Sequence, residues 1–309
     1  MSVNFKDTEL EDVYKKIIMR LENVLSLYEM NKPSTVSSGN ASVDPLDVWI
    51  MSRLSEIVSK ATEGYDAYKL DEAVRPVDQF VDDLSVWYVR RARSRLKGDE
   101  GEEVQSRTYQ TLTEVLHVFA RVIAPVMPFI AERIYATVGG EKESVHLESW
   151  PTSREVNEKS LEEMVKVRDV VTAALSLRTQ AKLNVRQPLQ KLTLKDKIPE
   201  RYHQILMDEL NVKEIAVDPS LDVACVLDTT ISEALQVEGD VRNLMRAIQD
   251  SRKDKGLTPK DGITLLTNYE IPDNLLQTLM NTCKVGAIEK GDGTYKAETA
   301  TGTITFDIR

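Results

Sequence analysis

Apolar residues recur at every third or fourth position through most of the first 138 residues, and this spacing constrains the fold more than any other feature. A helix presents such residues on one face, which must be buried against other helices. Stretches rich in Pro, Gly or Ser interrupt the pattern, including a loop over residues 31–42. The spacing predicts an antiparallel bundle with helices over residues 10–28, 44–64, 70–96, 112–123 and 128–138.

The pattern changes after Trp150 and Pro151, where short β-type runs alternate with helices, and no internal repeat is apparent. Helices are predicted over residues 160–182, 201–210 and 232–255. Strands are predicted over residues 189–194, 213–217, 223–227, 263–266, 285–289 and 303–308. The predicted fold class is mainly α, with a helical bundle over residues 1–152 followed by a smaller α+β domain over residues 153–309.

The charge balance limits how this chain could contact nucleic acid. It carries 50 acidic and 40 basic residues, a formal net charge of −10. An acidic protein does not coat nucleic acid by bulk electrostatics, so any such contact must use local basic clusters. No run of about 20 apolar residues is long enough to span a membrane, and residues 1–10 lack the apolar segment of a secretory signal. We therefore expect a cytoplasmic protein with no membrane partner.

The motifs of common catalytic and cofactor sites are missing. The histidines, His117, His146 and His203, lie too far apart for HxGH or HExxH, and no glycine-rich phosphate loop is present. Cys225 and Cys283 are too few for a disulfide framework or a four-thiolate zinc site, so both thiols are expected to be structural. We predict that this chain holds no metal and no cofactor.

The densest positive cluster lies at the end of the third predicted helix and comprises Arg90, Arg91, Arg93, Arg95 and Lys97. At 100° per residue, Arg90, Arg93 and Lys97 share a stripe that faces away from the apolar side. The other two continue the apolar line and are expected to pair with Asp82, Asp83 or another acid. The cluster is either a set of helix-end cations that complement the helix dipole or a phosphate-contacting ridge.

Two weaker basic stretches lie in the second half. Arg242, Arg246 and Lys253 fall on one polar stripe of the helix over residues 232–255. Lys182 and Arg186 open a stretch in which basic and apolar residues alternate, a pattern typical of a half-exposed strand with a basic outer face. Each is either an ordinary solvated surface or part of a contact with a polyanion.

Four segments, in this order, resemble the anticodon-binding helical domain of class I aminoacyl-tRNA synthetases. They are LDVWIMSRL (46–54), DDLSVWYVRR (82–91), APVMPFIAE (124–132) and SVHLESWP (144–151). Trp49, Trp87 and Trp150 lie in these segments and are expected to anchor the core. In the second half, VRQPL (185–189), ELNVKE (209–214) and the pair Glu238-Gly239 resemble the C-terminal region of the isoleucyl-tRNA synthetase family. The resemblance extends from about residue 9 to residue 268.

The resemblance implies a tRNA-binding role, with the helical domain holding the anticodon stem and loop of isoleucine tRNA. The implied partners are isoleucine tRNA and the remainder of the synthetase, and we expect a monomer. In this family a Rossmann catalytic domain, with HIGH and KMSKS motifs, and an editing domain precede this region. None of these is present in the sequence. ATP belongs to that catalytic domain, so this chain is expected not to attach isoleucine to tRNA by itself.

Two alternatives stay open from the sequence. The α+β domain either extends the tRNA contact through Arg242, Arg246 and Lys253 or docks on the rest of the synthetase. The competing function is a non-catalytic interaction module that docks a synthetase catalytic subunit and has little RNA affinity of its own. Such a module would present an exposed apolar patch rather than a salt-sensitive RNA-binding surface.

Overall fold

The structure is a computed structural model that describes residues 6–34, 42–258 and 261–309. Its internal contacts divide the chain into two units, Met1–Val165 and Lys166–Arg309. The division falls inside one long helix, whereas the boundary expected from the sequence, between residues 152 and 153, precedes that helix. The first unit is helical and the second combines helices with two small sheets, which confirms the predicted fold class.

The first unit is built from helices. Its helices are α1 (Asp7–Val13), α2 (Met19–Met30), α3 (Pro45–Asp66), α4 (Leu70–Asp82), α5 (Arg93–Lys97), α6 (Glu102–Ile123) and α7 (Pro128–Val138), and α8 (Glu158–Gln180) begins in this unit. One π-helical turn joins α1 to α2, and a second continues α4 towards α5. None of the helices that the structure describes, in either unit, has the length and apolar character needed to cross a bilayer.

Local capping residues set several helix ends. The Asp44 carboxylate accepts a hydrogen bond from the Leu46 N–H (2.9 Å) and Pro45 occupies the first turn, so α3 begins where the sequence predicts. Gly98 and Gly139, both with φ of +83°, follow the last residues of α5 and α7. Glycine adopts this left-handed conformation without steric cost, which explains why both helices end there.

The sequence-based expectations are wrong at three apolar positions of the first unit. Trp150 does not anchor the core, because 37% of its surface is exposed and its Nε1 donates to Thr62 Oγ1 (2.7 Å) on the surface. Leu10 and Val13 are about half exposed, because burial along the first helix begins only at Leu21. Of the loop predicted over residues 31–42, positions 35–41 lie outside the described residues.

The sequence pattern ends the second helix at Gly64, but the structure gives this glycine a different role. It does not end the second helix, because α3 continues to Asp66. The glycine is buried, and a Cβ added there would lie 2.6 Å from the Ala73 nitrogen and 2.8 Å from the Ala73 Cβ. Glycine is therefore required at this position for α4 to approach α3 closely.

The second unit contains two mixed sheets. Its strands are β1 (Leu189–Leu194), β2 (Val212–Val217), β3 (Cys225–Leu227), β4 (Ile263–Thr267), β5 (Val285–Glu289), β6 (Tyr295–Glu298) and β7 (Thr303–Ile308). Its further helices are α9 (His203–Leu210), α10 (Glu233–Asp254) and α11 (Asp273–Cys283). The first sheet has the order β2-β1-β3, in which β1 is parallel to β2 and antiparallel to β3. The second sheet has the order β5-β4-β7-β6, in which β4 is parallel to β5 and antiparallel to β7.

Most elements of the second unit agree with the sequence. The strands at 189–194, 285–289 and 303–308 are confirmed to the residue, and Ser232 caps α10 as the helix pattern predicts. Neither α11 nor β6 is predicted from the sequence. Only Leu279 and Cys283 are buried in α11 and only Ala297 in β6, so neither element carries a strong apolar period.

We expect Gly64→Ala to lower the free energy of unfolding by about 1–3 kcal/mol, because the added methyl group forces α3 and α4 apart. This loss outweighs the roughly 1 kcal/mol that alanine gains over glycine in a helix. Urea unfolding measures the difference. Gly262→Ala is the control, since an added Cβ there meets nothing within 4 Å. Equal stability of the Gly64→Ala variant and the unmodified chain would contradict the close approach.

Candidate nucleic-acid interface

Arg95 belongs to the cluster considered as a phosphate-contacting ridge, but, as its place on the apolar line predicts, it is buried, and it lies at the start of α3. Its guanidinium donates to both carboxylate oxygens of Asp47 (3.1 and 3.2 Å) and lies 3.0 Å from Asp44 Oδ2. The Tyr88 hydroxyl donates to the same Asp47 carboxylate (2.7 Å). Arg95 therefore ties α5 to the first turn of α3, and the structure removes it from the candidate phosphate ligands.

Burial controls the protonation of the groups around Arg95. It raises the pKa of the Asp44 carboxyl, although the Arg95 guanidinium acts in the opposite direction. Burial, and then the charge of Asp47, hold the pKa of the Tyr88 hydroxyl well above its ordinary value. Tyr88 therefore remains a neutral hydrogen-bond donor across the physiological pH range.

Arg91 is the second cation that turns towards the protein. Its guanidinium carbon lies 3.2 Å from the centroid of the Trp87 ring, and its Nη1 donates to the Trp87 carbonyl (2.9 Å). Asp82 pairs with Arg20 (2.9 Å) and Asp83 with Arg53 (2.9 Å). Arg91 thus packs along its own helix.

The remaining cations of the cluster face outward as the helical spacing predicts. Arg90, Arg93 and Lys97 are all exposed. They lie on a segment whose other face is buried and held by the ion pairs of Arg95 with Asp44 and Asp47. An acidic turn over residues 99–103 follows directly, and Glu100 accepts a hydrogen bond from Ser94 (2.7 Å). That turn bounds the positive surface on one side.

A polar cleft of about 500 Å³ opens beside the Arg95 network in the same unit. It lies between α3, α6 and the chain that follows Trp150, and no motif in the sequence indicates it. The lining combines guanidinium, amide, hydroxyl and carboxylate groups, the types that read the edges of unstacked bases. They include Asp47, Ser52, Arg107, Gln110, Glu114, Arg154 and Asn157.

In the second unit the structure brings two separate basic stretches together. Arg242 on α10 donates to Asn211 Oδ1 (2.7 Å) and to Glu238 (2.9 Å), and Arg186 donates through Nε to Asn243 Oδ1 on the same helix (2.9 Å). Lys182 and Arg186 lie in the turn before β1 and not on the half-exposed strand that the sequence predicts. The turn leaves both side chains exposed.

Arg246 and Lys253 lie on the exposed face of α10, which agrees with the predicted polar stripe. Arg246 donates through Nε to Asp250 one turn later (3.0 Å), and both of these side chains are more than half exposed. A pair this exposed constrains neither side chain strongly.

The segments that carry the family resemblance in the second unit meet at one point. Asn211, with φ of +48°, donates through Nδ2 to the carbonyls of Val185 (2.9 Å) and Arg186 (3.1 Å). Gln187 donates to the Leu235 carbonyl (2.8 Å), and a Cβ added at Gly239 would lie 2.4 Å from the Gln187 Oε1. These residues join the turn before β1 to α9 and α10. An Asn that follows a helix is the sequence signal that could have identified this joint.

Comparison with known proteins matches residues 47–193 to the anticodon-binding domain of tRNA ligases. Isoleucine–tRNA ligase of Chlamydia caviae is 34% identical over 271 residues, which are 82% of this chain and 26% of that protein. The enzyme of Chlamydia trachomatis serovar A is 36% identical over 228 residues (69% and 22%), and that of Clostridium tetani is 33% identical over 252 residues (77% and 24%).

Among solved structures, a chain in the ternary complex of Agrobacterium radiobacter K84 agnB2 LeuRS, tRNA and LeuAMS is similar to this one. The similarity covers 52% of this chain and 18% of the chain in that complex. The TM-score is 0.33 and the identity 17%, too low for this likeness to indicate anything about the fold or the function of the chain.

Residues 47–193, which include the exposed cations of the first unit, match the anticodon-binding domain of tRNA ligases, and this match indicates the class. The second unit contributes the joint formed by Asn211, Gln187 and Gly239, which lies in segments that resemble one synthetase in particular. The chain belongs to the isoleucine–tRNA ligase family, and it spans about a quarter of the length of the relatives that it matches.

Tyr88 supplies a pH-dependent test of the Arg95 network. Its pKa is raised in the folded state, so above pH 10 the unfolded chain loses this proton while the folded chain keeps it. The free energy of unfolding should then fall by about 1.4 kcal/mol per pH unit from this group. In the Tyr88→Phe variant, the free energy of unfolding measured in urea should fall less steeply between pH 10 and pH 11, because the contribution of the Tyr88 hydroxyl is absent. Tyr68→Phe, at a ring that is 92% exposed, should keep it. An identical pH slope in both variants would contradict the burial of the Tyr88 hydroxyl.

Proposed function

We propose that this chain binds the anticodon stem and loop of isoleucine tRNA as the C-terminal portion of an isoleucyl-tRNA synthetase. The observation that supports this most is the match of residues 47–193 to the anticodon-binding domain family, because that stretch contains both the exposed cations and the buried pairs beneath them. The names of the relatives support isoleucine tRNA as the particular substrate.

Phosphate contacts fall to Arg90, Arg93 and Lys97, which extend from a helix whose opposite side is fixed. Guanidinium forks match phosphate oxygens, and such contacts position an RNA without reading its sequence. Base recognition falls to the polar cleft, where Arg107, Gln110 and Asn157 supply donors and acceptors. An anticodon loop presents unstacked bases, which side chains of this kind can read on their edges.

The proposal assigns no catalysis to this chain alone. In it, ATP and isoleucine bind to parts of the synthetase outside the stretch that this chain covers, which is about a quarter of its relatives. This chain then needs no cofactor, acts as a monomer in the cytoplasm, and places the tRNA for a separate active site.

A second candidate function, docking of a synthetase catalytic subunit with little RNA affinity, is favoured by one observation. At the junction of α6 and α7, Phe129 is 90% exposed and Val126 is 37% exposed. An aromatic ring this accessible is typical of a contact surface. The two functions differ in their dependence on salt, because docking through apolar side chains does not release counterions from RNA.

The test measures binding of the chain to isoleucine tRNA and to a non-cognate tRNA across a salt series. With roughly three to five phosphate contacts, the logarithm of the affinity should fall with the logarithm of salt concentration with a slope of about −2 to −4. Binding should favour the cognate tRNA. Absent or indiscriminate binding would contradict anticodon recognition and favour the docking function.

The double variant Arg90→Gln, Arg93→Gln tests the outward-facing cations directly. Loss of two phosphate contacts should reduce the magnitude of the salt slope by about 1.4 for single-stranded RNA and weaken binding to both tRNAs. The control, Lys69→Gln with Arg75→Gln, also removes two charges from exposed positions, one just before α4 and one within it, and should leave the slope unchanged. If the two double variants behave alike, Arg90 and Arg93 are not phosphate ligands.

A further inference from the structure

The second unit repeats one arrangement of strands and helices. In the first copy β1 and β2 are parallel, α9 connects them, and β3 is antiparallel on the other side of β1. In the second copy β4 and β5 are parallel, α11 connects them, and β7 is antiparallel on the other side of β4. A long helix precedes each copy, α8 in the first case and α10 in the second. The sequence alone does not reveal this duplication.

A buried arginine near the end of the preceding helix occupies the same position in both copies. Arg178 precedes the first residue of β1 by 11 positions, and Arg252 precedes the first residue of β4 by the same number. Only 1% of Arg178 and 3% of Arg252 is exposed. Within the described part of the chain, no carboxylate forms an ion pair with Arg178, so its charge must be met in another way.

Backbone carbonyl groups accept hydrogen bonds from both guanidiniums with the same spacing, although the buried Nε of Arg178 has no hydrogen-bond partner. Arg178 donates to the carbonyls six and nine residues later, at Asn184 (3.0 Å) and Gln187 (3.0 Å). Arg252 does the same at Thr258 (2.7 Å) and Asp261 (2.8 Å). Each arginine therefore holds the turn that leads from its helix into the first strand of its copy.

The same guanidiniums also reach the chain that enters the parallel partner strand. Arg178 donates to the carbonyls of Leu210 and Asn211 just before β2, and Arg252 donates to that of Cys283 (3.1 Å) just before β5. The next residue in the second copy, Lys284, has φ of +55°, close to the +48° of Asn211. One side chain thus fixes two loops in each copy.

Backbone conformation matches inside the turns as well. Lys182 has φ of +56° and Gly256 has φ of +69°, each four residues after the buried arginine. Lysine is costly in this left-handed region and glycine is not. Lys182 in the first copy therefore adopts a costly backbone conformation, whereas Gly256 at the equivalent position of the second copy adopts it without cost.

The two turns differ in charge. The turn of the first copy, residues 181–188, contains Lys182 and Arg186 and no acid. In the second copy Asp261 lies within the turn and accepts a hydrogen bond from the Thr258 N–H (2.6 Å), while Lys255 is engaged with Asp307 (3.1 Å). The second turn, residues 255–262, also contains Lys260, so its net charge is +1 against +2 for the first turn, and its Lys255 is already paired. The first turn therefore carries the larger excess of positive charge.

We propose that the turn of the first copy is a phosphate-binding turn and that Arg178 is the positioning residue that holds Lys182 and Arg186 in it, whereas the turn held by Arg252 serves the fold alone. The nature of the ligand, the phosphate backbone of a tRNA, rests on the proposed function. Burial lowers the pKa of Arg178 to about 10, so this guanidinium still carries its charge at neutral pH and its bonds to the four carbonyls persist. A preorganised turn loses less conformational entropy when it binds.

The test compares three variants of the full chain in binding to an isoleucine tRNA transcript across a salt series. Lys182→Gln with Arg186→Gln removes the proposed contacts at exposed positions and should reduce the magnitude of the salt slope by about 1.4. Arg178→Lys keeps the positive charge but cannot reach four carbonyls with a guanidinium fork, so it should weaken binding roughly tenfold.

Arg252→Lys is the matched control, because it makes the same change in the second copy. Both lysine variants should lower the midpoint of thermal unfolding, but only Arg178→Lys should change the affinity and the salt slope. Affinity is measured well below both midpoints, with circular dichroism to confirm that each variant is folded.

Three outcomes would overturn the proposal. An unchanged slope in the Lys182→Gln, Arg186→Gln variant shows that the turn does not contact phosphate, whatever happens to Arg178→Lys. Equal losses of affinity in Arg178→Lys and Arg252→Lys show that Arg178 has only a general structural role. Both results leave the proposed function intact if the unmodified chain binds tRNA, whereas an unmodified chain that binds no RNA overturns both proposals.

Discussion

Buried guanidinium groups are the constraint on which the rest of this structure depends. An arginine removed from water must find several acceptors, and meeting that need joins segments that are distant in sequence. The acceptors for Arg95 are two carboxylates at the start of α3, and those for Arg178 and Arg252 are mainly backbone carbonyls. Removing one partner from such a buried set costs about 3–5 kcal/mol, far more than an exposed ion pair contributes.

This use of arginine separates the structural cations from those that can contact RNA. The chain is acidic overall, so an RNA contact depends on where the exposed cations lie and not on their number. Arg95 and Arg91 fix the segment that bears Arg90 and Arg93, and Arg178 fixes the turn that bears Lys182 and Arg186. In each unit, a buried cation supports exposed ones that are a few residues away in sequence.

The sequence predicted most of the helical first half, because most helices there have an apolar face with the period of a helix and some of them have a recognisable cap. The start of α3 could be predicted from Asp44 and Pro45, and the end of α7 from Gly139, without any knowledge of the tertiary structure. Gly64 was misjudged for a physical reason: a glycine that ends a helix and a glycine that admits a neighbouring helix look alike until the neighbour is in place. β6 was missed because an edge strand with one buried side chain has almost no pattern.

The sequence by itself determined the fold class, the family and the order of the elements other than α11 and β6, because these follow from local periodicity and from short motifs that can be read in one dimension. The helical spacing placed Arg95 on the apolar line, but only the tertiary structure decided which acid it meets, because Asp47 lies 48 positions earlier in the chain. The tertiary structure also revealed the duplication in the second unit, since the two copies share hydrogen-bond geometry and strand order more than they share side chains. Carbonyl groups belong to every residue, and a sequence does not show which of them converge on one guanidinium.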